Sequence, residues 1–220
     1  ASNITLEAFY KDYSDYPVSV ADSVSLANKG AGFEVLGNEA VATVGEGRSY
    51  GLELLFQQKL TNNFYGIFSY TYFYSEFTGF DTDDYLPSVW DSRHLISFTG
   101  GYKLKRAWEL SARWRFAGRT PFVPTNEAAT IIAYPEIIPD FSKLGDEKLG
   151  VFSQVDIRVD KKWNFKKLSL NVFFEIQNAL AQEAPQPSSF GLGRNMDGTP
   201  TNPRTLQQLL TEDGSIIPSI

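Results

Sequence analysis

Period-two alternation constrains this chain more than any other feature. Seven segments carry apolar residues at every second position, which lines them up on one face of an extended strand. Trp108, Leu110, Ala112, Trp114 and Phe116 oppose Glu109, Ser111, Arg113 and Arg115. Val151, Val155, Ile157, Val159 and Trp163 oppose Gln154, Asp156, Arg158, Asp160 and Lys162. Leu168, Leu170, Val172, Phe174 and Ile176 oppose Ser169, Asn171, Glu175 and Gln177. A helical wheel would put Arg113 inside the apolar stripe, so strands fit better. Four earlier segments, 3–13, 49–60, 64–75 and 93–103, follow the same rule.

The connections alternate as well. Short turns at 61–63, 104–107 and 164–167 separate long stretches at 14–48, 76–92, 117–150 and from 179 onward. An antiparallel meander then has all its short turns at one end and all its long loops at the other, as outer-membrane barrels do. The loops carry turn-forming Pro121, Pro124, Pro135, Pro139, Pro185 and Pro187, while 205–210 is too brief to assign as a helical turn. No run approaches the roughly 20 apolar residues of a spanning helix, and the N-terminus lacks the pattern of a signal peptide. Spanning strands need only about 9–11 residues, so neither absence excludes a membrane. Aromatic residues are 15% of the chain while mean hydropathy is only −0.24, so much aromatic surface sits beside polar residues. The expected fold is all-β, an antiparallel transmembrane β-barrel segment of seven or eight strands, with a soluble β-sandwich as the alternative. Trp108 and Trp163, beside short turns, are membrane-girdle candidates, and Tyr70, Tyr72 and Tyr74 reach toward the opposite girdle. Residues 214–220 look like the start of a further strand and strand one begins almost at Ala1, so the expectation is a piece of a longer barrel.

The chemistry-bearing residues exclude several functions. There is no cysteine and one histidine, which leaves no thiolate or multi-histidine metal centre. Twenty basic against 26 acidic residues give a net charge of −6, contrary to a nucleic-acid binder. Ser92 and His94 lie two apart on a strand with no nucleophile–base geometry, and Gly45-Glu46-Gly47 lacks the residues of a phosphate loop. Asp83-Asp84 and Glu136/Asp140 read as solvated loop charges. No enzyme, cofactor or metal is expected. Glu53, Arg113, Arg115, Asp156, Arg158, Asp160 and Glu175 fall on polar faces that a barrel turns inward, as lumen-lining or plug-contacting candidates. Tyr85, Trp90, Phe122, Tyr134 and Phe141 are extracellular-loop ligand candidates, suited to a sugar, peptide, metal chelate or cobamide without choosing among them.

Several pieces, taken in order, carry a resemblance. They are Tyr50-Gly51-Leu52-Glu53-Leu54-Leu55-Phe56-Gln57-Gln58-Lys59, Phe68-Ser69-Tyr70-Thr71-Tyr72, Trp90-Asp91-Ser92-Arg93-His94, Gly118-Arg119-Thr120-Pro121-Phe122, Asp156 through Trp163, and Phe174-Glu175-Ile176-Gln177-Asn178. With the strand and loop rhythm, the chain resembles the C-terminal barrel of a TonB-dependent outer-membrane transporter. The nearest type is that of Bacteroidetes, with a carboxypeptidase-regulatory-like N-terminal extension. The resemblance implies that 1–220 is the C-terminal part of a roughly 22-stranded barrel, without the plug domain and the final strand. It implies import of a scarce, large solute using TonB-transmitted energy. The implied partners are the rest of the barrel and the N-terminal plug of the same parent, the TonB complex, outer-membrane lipid and a surface lipoprotein. A passive porin or structural barrel, and a soluble carbohydrate-binding β-sandwich, are the other readings.

Overall fold

A computed structural model describes residues 1–29, 37–133 and 137–187. The strands are β1 (Ser2–Ser19), β2 (Val41–Thr61), β3 (Phe64–Phe77), β4 (Leu86–Pro87), β5 (His94–Lys103), β6 (Trp108–Ala117), β7 (Phe152–Asn164) and β8 (Ser169–Ile176). They form one sheet in the order β1-β2-β3-β5-β6-β7-β8, and the two-residue β4 pairs with β3. All the pairings are antiparallel. This is the meander read from the alternation. Asn62 (φ 49°) and Asn63 (φ 69°) make the β2–β3 turn, since a two-residue hairpin with both residues at positive φ matches the twist of its strands and asparagine tolerates it. The β5–β6 turn uses Arg106 (φ 60°) and Ala107 (φ 56°).

Two differences from the sequence reading have physical causes. β1 continues to Ser19 and β2 begins at Val41, well beyond the expected 3–13 and 49–60. Asp15, at φ 55°, forms a bulge that shifts the register between Tyr13 and Tyr16. An extra residue breaks the alternation without ending the ladder. The long connections also hold more structure than expected: β4 lies between β3 and β5, and a short helix α1 (Glu127–Ala133) and a 3-10 turn (Phe141–Lys143) lie between β6 and β7. Residues 205–210, too brief to assign from sequence, and 214–220, expected to begin a further strand, lie outside the described residues.

The hydrophobic core sits in an unusual place. The buried apolar residues among those described are Val18, Ala27, Phe77, Val89 and Leu144, all at the long-loop end. There the loops pack on one another: Asn28 Nδ2 donates to the carbonyls of Leu86 (3.1 Å) and Pro87 (2.8 Å), and the Val89 amide donates to Ala27 (3.2 Å). Among the described residues no core lies under the sheet itself. The register aligns Leu6, Leu54, Tyr70, Ile96 and Phe116 in one cross-strand row, and Ala112, Ile157 and Ile176 in another on the same face. This face stands open, with Leu6 70% and Phe174 67% exposed. Soluble monomers rarely expose an apolar patch beyond a few hundred Å². A continuous apolar face across seven strands therefore requires an apolar medium or a large partner.

Candidate functional site: the polar face and the loop cap

The opposite face collects the charges. Asp156 on β7 is almost fully buried, with its side chain 5% exposed, and lies opposite Arg113 on β6. Its Oδ2 accepts from Arg113 Nε (2.9 Å) and Nη2 (2.7 Å), while Oδ1 accepts from Gln154 Nε2 (2.8 Å) and the Asn178 backbone amide (2.9 Å). Arg158 gives Asp160 a two-pronged contact, Nε to Oδ2 and Nη2 to Oδ1 at 2.8 Å each, and reaches Glu175 at 3.4 Å. A guanidinium fork matches carboxylate geometry, which makes such pairs stronger and better aimed than single contacts. Tyr65 on β3 donates to Glu109 on β6 across the intervening β5.

Glu53 differs from this set. It faces Glu7 across the β1–β2 ladder, and neither carboxylate has an ion-pair partner among the described residues. Like charges directly opposite one another are destabilising. Beside them Gly51 sits between Phe9 and Phe73, where a Cβ would lie 2.3 Å from the Tyr72 carbonyl oxygen. Glycine is required there because the neighbouring strand approaches too closely for a side chain.

All seven residues expected on the polar face therefore share it: Glu53, Arg113, Arg115, Asp156, Arg158, Asp160 and Glu175. Their partners were less visible. Asn178 depends on where the chain runs after β8, whereas Gln154, Tyr65 and Glu7 were within reach of the same parity rule.

The loop aromatics divide. Trp90 is 72% exposed. Tyr85 is already engaged: its hydroxyl donates to Glu46 Oε2 (3.0 Å) and the Arg48 guanidinium lies 4.1 Å over its ring. Phe141 lies under Lys29 Nζ (5.3 Å to its centroid), and Phe122 is half-buried near the residues joining β6 to β7. Tyr134 and Glu136 lie outside the described residues. Lys29 clasps the first loop through Asp22 (2.5 Å) and Glu39 (2.6 Å). Burial pushes the Lys29 ammonium down, but its hydrogen bonds to Asp22 and Glu39 outweigh that and leave it above its ordinary value. The same contact from Lys29 lowers Glu39. Asp91, fully buried at the foot of the second loop, is pushed up by burial against the opposing pull of Arg93. It accepts the Ser75 amide where the β3 ladder runs out, a structural capping role. Asp83 and Asp81 form a local turn, and no cluster of three metal-ligating side chains occurs among the described residues.

Aromatics frame the apolar face. Near the short turns, Lys161 Nζ lies over both Trp108 (5.2 Å) and Trp163 (5.5 Å), so the ammonium can snorkel along two amphipathic rings. Toward the long loops Tyr10, Tyr50 and Tyr74 stack in series, with centroids 6.2 and 5.0 Å apart. Tyr70 hydrogen-bonds His94 Nδ1 (2.9 Å), and the Trp114 indole donates to Ser153 (3.1 Å). His94 thus serves in this band, and among the described residues the hydrogen-bond partner of its ring is Tyr70. From the Phe64 row to Tyr74 is ten residues, about 33 Å along a strand and about 25 Å once a tilt of roughly 40° is allowed, the height of an outer-membrane apolar band.

Comparison with known proteins agrees with this geometry. The family described as TonB-dependent receptor-like β-barrel matches residues 1–179. Among solved structures, the chain is similar to the ferripyoverdine receptor of the outer membrane of Pseudomonas aeruginosa bound to ferripyoverdine, at 15% identity and a TM-score of 0.55, covering 82% of this chain and 21% of that one. The FpvAI–pyocin S2 complex gives the same identity and TM-score, with 82% of this chain and 22% of that one covered. The chain thus spans about a fifth of the length of these relatives. No curated protein sequence matches it. A family match through the whole meander, over a sheet with one apolar and one charged face, places the chain in the TonB-dependent receptor β-barrel family, a non-catalytic transport family of the bacterial outer membrane.

Proposed function

We propose that this chain forms part of the wall of a plugged, roughly 22-stranded barrel that captures a scarce, large solute and imports it with energy transmitted by TonB. In this reading the apolar face meets lipid and the charged face lines the lumen. The parent is of the Bacteroidetes type, with a carboxypeptidase-regulatory-like extension and a plug before the barrel, and a surface lipoprotein assists capture. The outer loops, with Trp90 foremost, receive the solute, with Tyr85, Phe122 and Phe141 beside it; Tyr134, a further sequence candidate for that role, lies outside the described residues. Trp108 and Trp163 anchor the periplasmic edge of the lipid band.

One observation carries the proposal: the opposed carboxylates of Glu7 and Glu53, which have no cation opposite them among the described residues. A basic side chain of the plug supplies the missing charge and holds the plug until TonB acts. Arg113 and Arg158 already have carboxylates of the wall itself, so they stiffen the lumen.

Electrical conductance tests this. The intact parent, placed in a planar bilayer in potassium chloride, is expected to show no steady conductance until a denaturant displaces the plug. Glu53→Gln combined with Glu7→Gln is expected to lower the urea concentration at which conductance appears. Steady conductance without denaturant would identify a passive porin instead. A parent that partitions into buffer without detergent would restore the soluble sandwich.

A further inference from the structure

On the charged face a depression of about 380 Å³ lies near the long-loop ends of β5, β6 and β7. The register explains its shape. One cross-strand row runs Ser69–Ser97–Arg115–Gln154, and the next row toward the loops runs Thr71–Leu95–Ala117–Phe152. Small side chains at the centre of both rows, Ser97 and Ala117, leave the space between longer neighbours.

The two rows differ in chemistry. The inner one gathers donors. Arg115 Nη2 donates to the neutral amide oxygen of Gln154 (2.9 Å), and Arg115 is the one arginine on the polar faces of β6 and β7 with no carboxylate partner among the described residues. Arg113 holds Asp156, and Arg158 holds Asp160 and Glu175. The Ser69, Ser97 and Thr71 hydroxyls also make no hydrogen bond among the described residues and line the same hollow. The outer row is apolar, with Leu95, Ala117 and Phe152 against the loop side. A guanidinium presents five donors in a planar fork and no acceptor, so one neutral partner leaves most of its capacity unused.

We propose that this depression is a recognition subsite for an oxyanion of carboxylate type attached to an apolar or aromatic body, presented by the solute as it leaves the loop cap. The inference rests on the lumen-facing orientation and solute-capturing role proposed above, and it adds a substrate class to them. Arg115 holds two anionic oxygens, the serine hydroxyls donate at the sides, and the apolar row covers the body. The hollow falls in the size range of small-molecule sites, about 300–1,000 Å³, which is more than an acidic side chain of the plug fills. Its place at the loop end of the wall is where an arriving solute first meets the lumen.

The test uses 4-fluorobenzoate and its neutral isostere 4-fluorobenzamide as probes, with the detergent-purified intact parent and fluorine NMR line broadening as the readout. The benzoate is expected to bind about tenfold more tightly than the benzamide, the size of one charge-assisted contact. Arg115→Gln removes that preference and leaves benzamide binding unchanged. Arg115→Lys keeps part of the preference, because charge remains while the fork is lost. The circular dichroism of the sheet confirms that each variant folds. Equal binding of the two probes, or an Arg115→Gln variant that still prefers benzoate, would overturn the subsite. So would benzoate binding that appears only after urea displaces the plug, since a plug carboxylate would then own Arg115. A parent that conducts without plug displacement refutes the transporter reading by itself, so the two failures are distinct.

Discussion

Removing the charge of Asp156 by Asp156→Asn should destabilise the barrel by about 3 kcal/mol. Both carboxylate oxygens are saturated by donors, two from Arg113, one from Gln154 and one from the Asn178 amide. Asparagine offers one acceptor oxygen and one donor group. Whichever way it turns, its amide nitrogen faces donors, so at least one pair of contacts becomes donor against donor. Hydrogen bonds to a charged group are worth about 1.5–3 kcal/mol each, and two or more are lost. Part of the loss is recovered because the Arg113 side chain is 45% exposed and water can replace its partner. For the same reason Arg113→Gln alone should cost only about 1 kcal/mol, and the double variant should fall short of the sum by about 1 kcal/mol. The assay is urea unfolding of the intact parent in phospholipid vesicles, followed by tryptophan fluorescence. An Asp156→Asn variant within about 0.5 kcal/mol of wild type, or fully additive variants, would mean that the network does not carry the load assigned to it.

Three other outcomes follow from the geometry. Gly51→Ala should cost about 1–3 kcal/mol or shift the β2–β3 register, because the new Cβ meets the Tyr72 carbonyl at 2.3 Å and Phe73 Cβ at 2.8 Å; urea unfolding with the same fluorescence readout measures it. The Lys29 clasp should be closed at intermediate pH and open at both extremes. Glu39 lies below its ordinary 4.5 when folded, so its contribution is complete above that value and fades as pH falls through the lowered one. Lys29 lies above its ordinary 10.5, so its contribution is complete below that value and fades as pH rises through the raised one. Amide exchange across residues 19–29 in the intact parent should show this window, and Lys29→Met should abolish it. Finally, Ile157→Arg, near the middle of the apolar face, should cost about 2–4 kcal/mol in a bilayer, whereas Thr99→Arg on the charged face should cost far less.

How much of this was legible before the structure depends on what each feature rests on. β6 was plain because Arg113 and its charged neighbours alternate with apolar residues without a break. In β7 and β8 the alternation around Arg158 and Glu175 is interrupted only locally, at Phe152, Ser153, Lys161 and Phe173. The outer half of β1 was not, since the bulge at Asp15 changes which parity faces which side while the ladder continues. The loop cap could not be read locally, because Val18, Ala27, Phe77, Val89 and Leu144 come from separate segments that meet only through the fold. Parity put the seven charged candidates on one face. Which of them are matched needed the register: Asp156 draws on residues from β6, its own strand and the segment after β8, while Glu53 meets another carboxylate. The depression at Arg115 was hidden for the same reason, being made by the coincidence of two rows across neighbouring strands.

The central claim is that alternate residues of each strand meet lipid and water respectively. Single spin labels placed in turn at Leu54, Leu110 and Ile157, and at Glu53, Ser111 and Gln154, in the intact parent reconstituted into vesicles, test it directly. Oxygen, which concentrates in the bilayer, should relax the first three labels strongly, while a water-soluble nickel chelate should reach the second three. Equal accessibility of both sets to the chelate, or oxygen relaxation confined to Glu53, Ser111 and Gln154, would contradict the account.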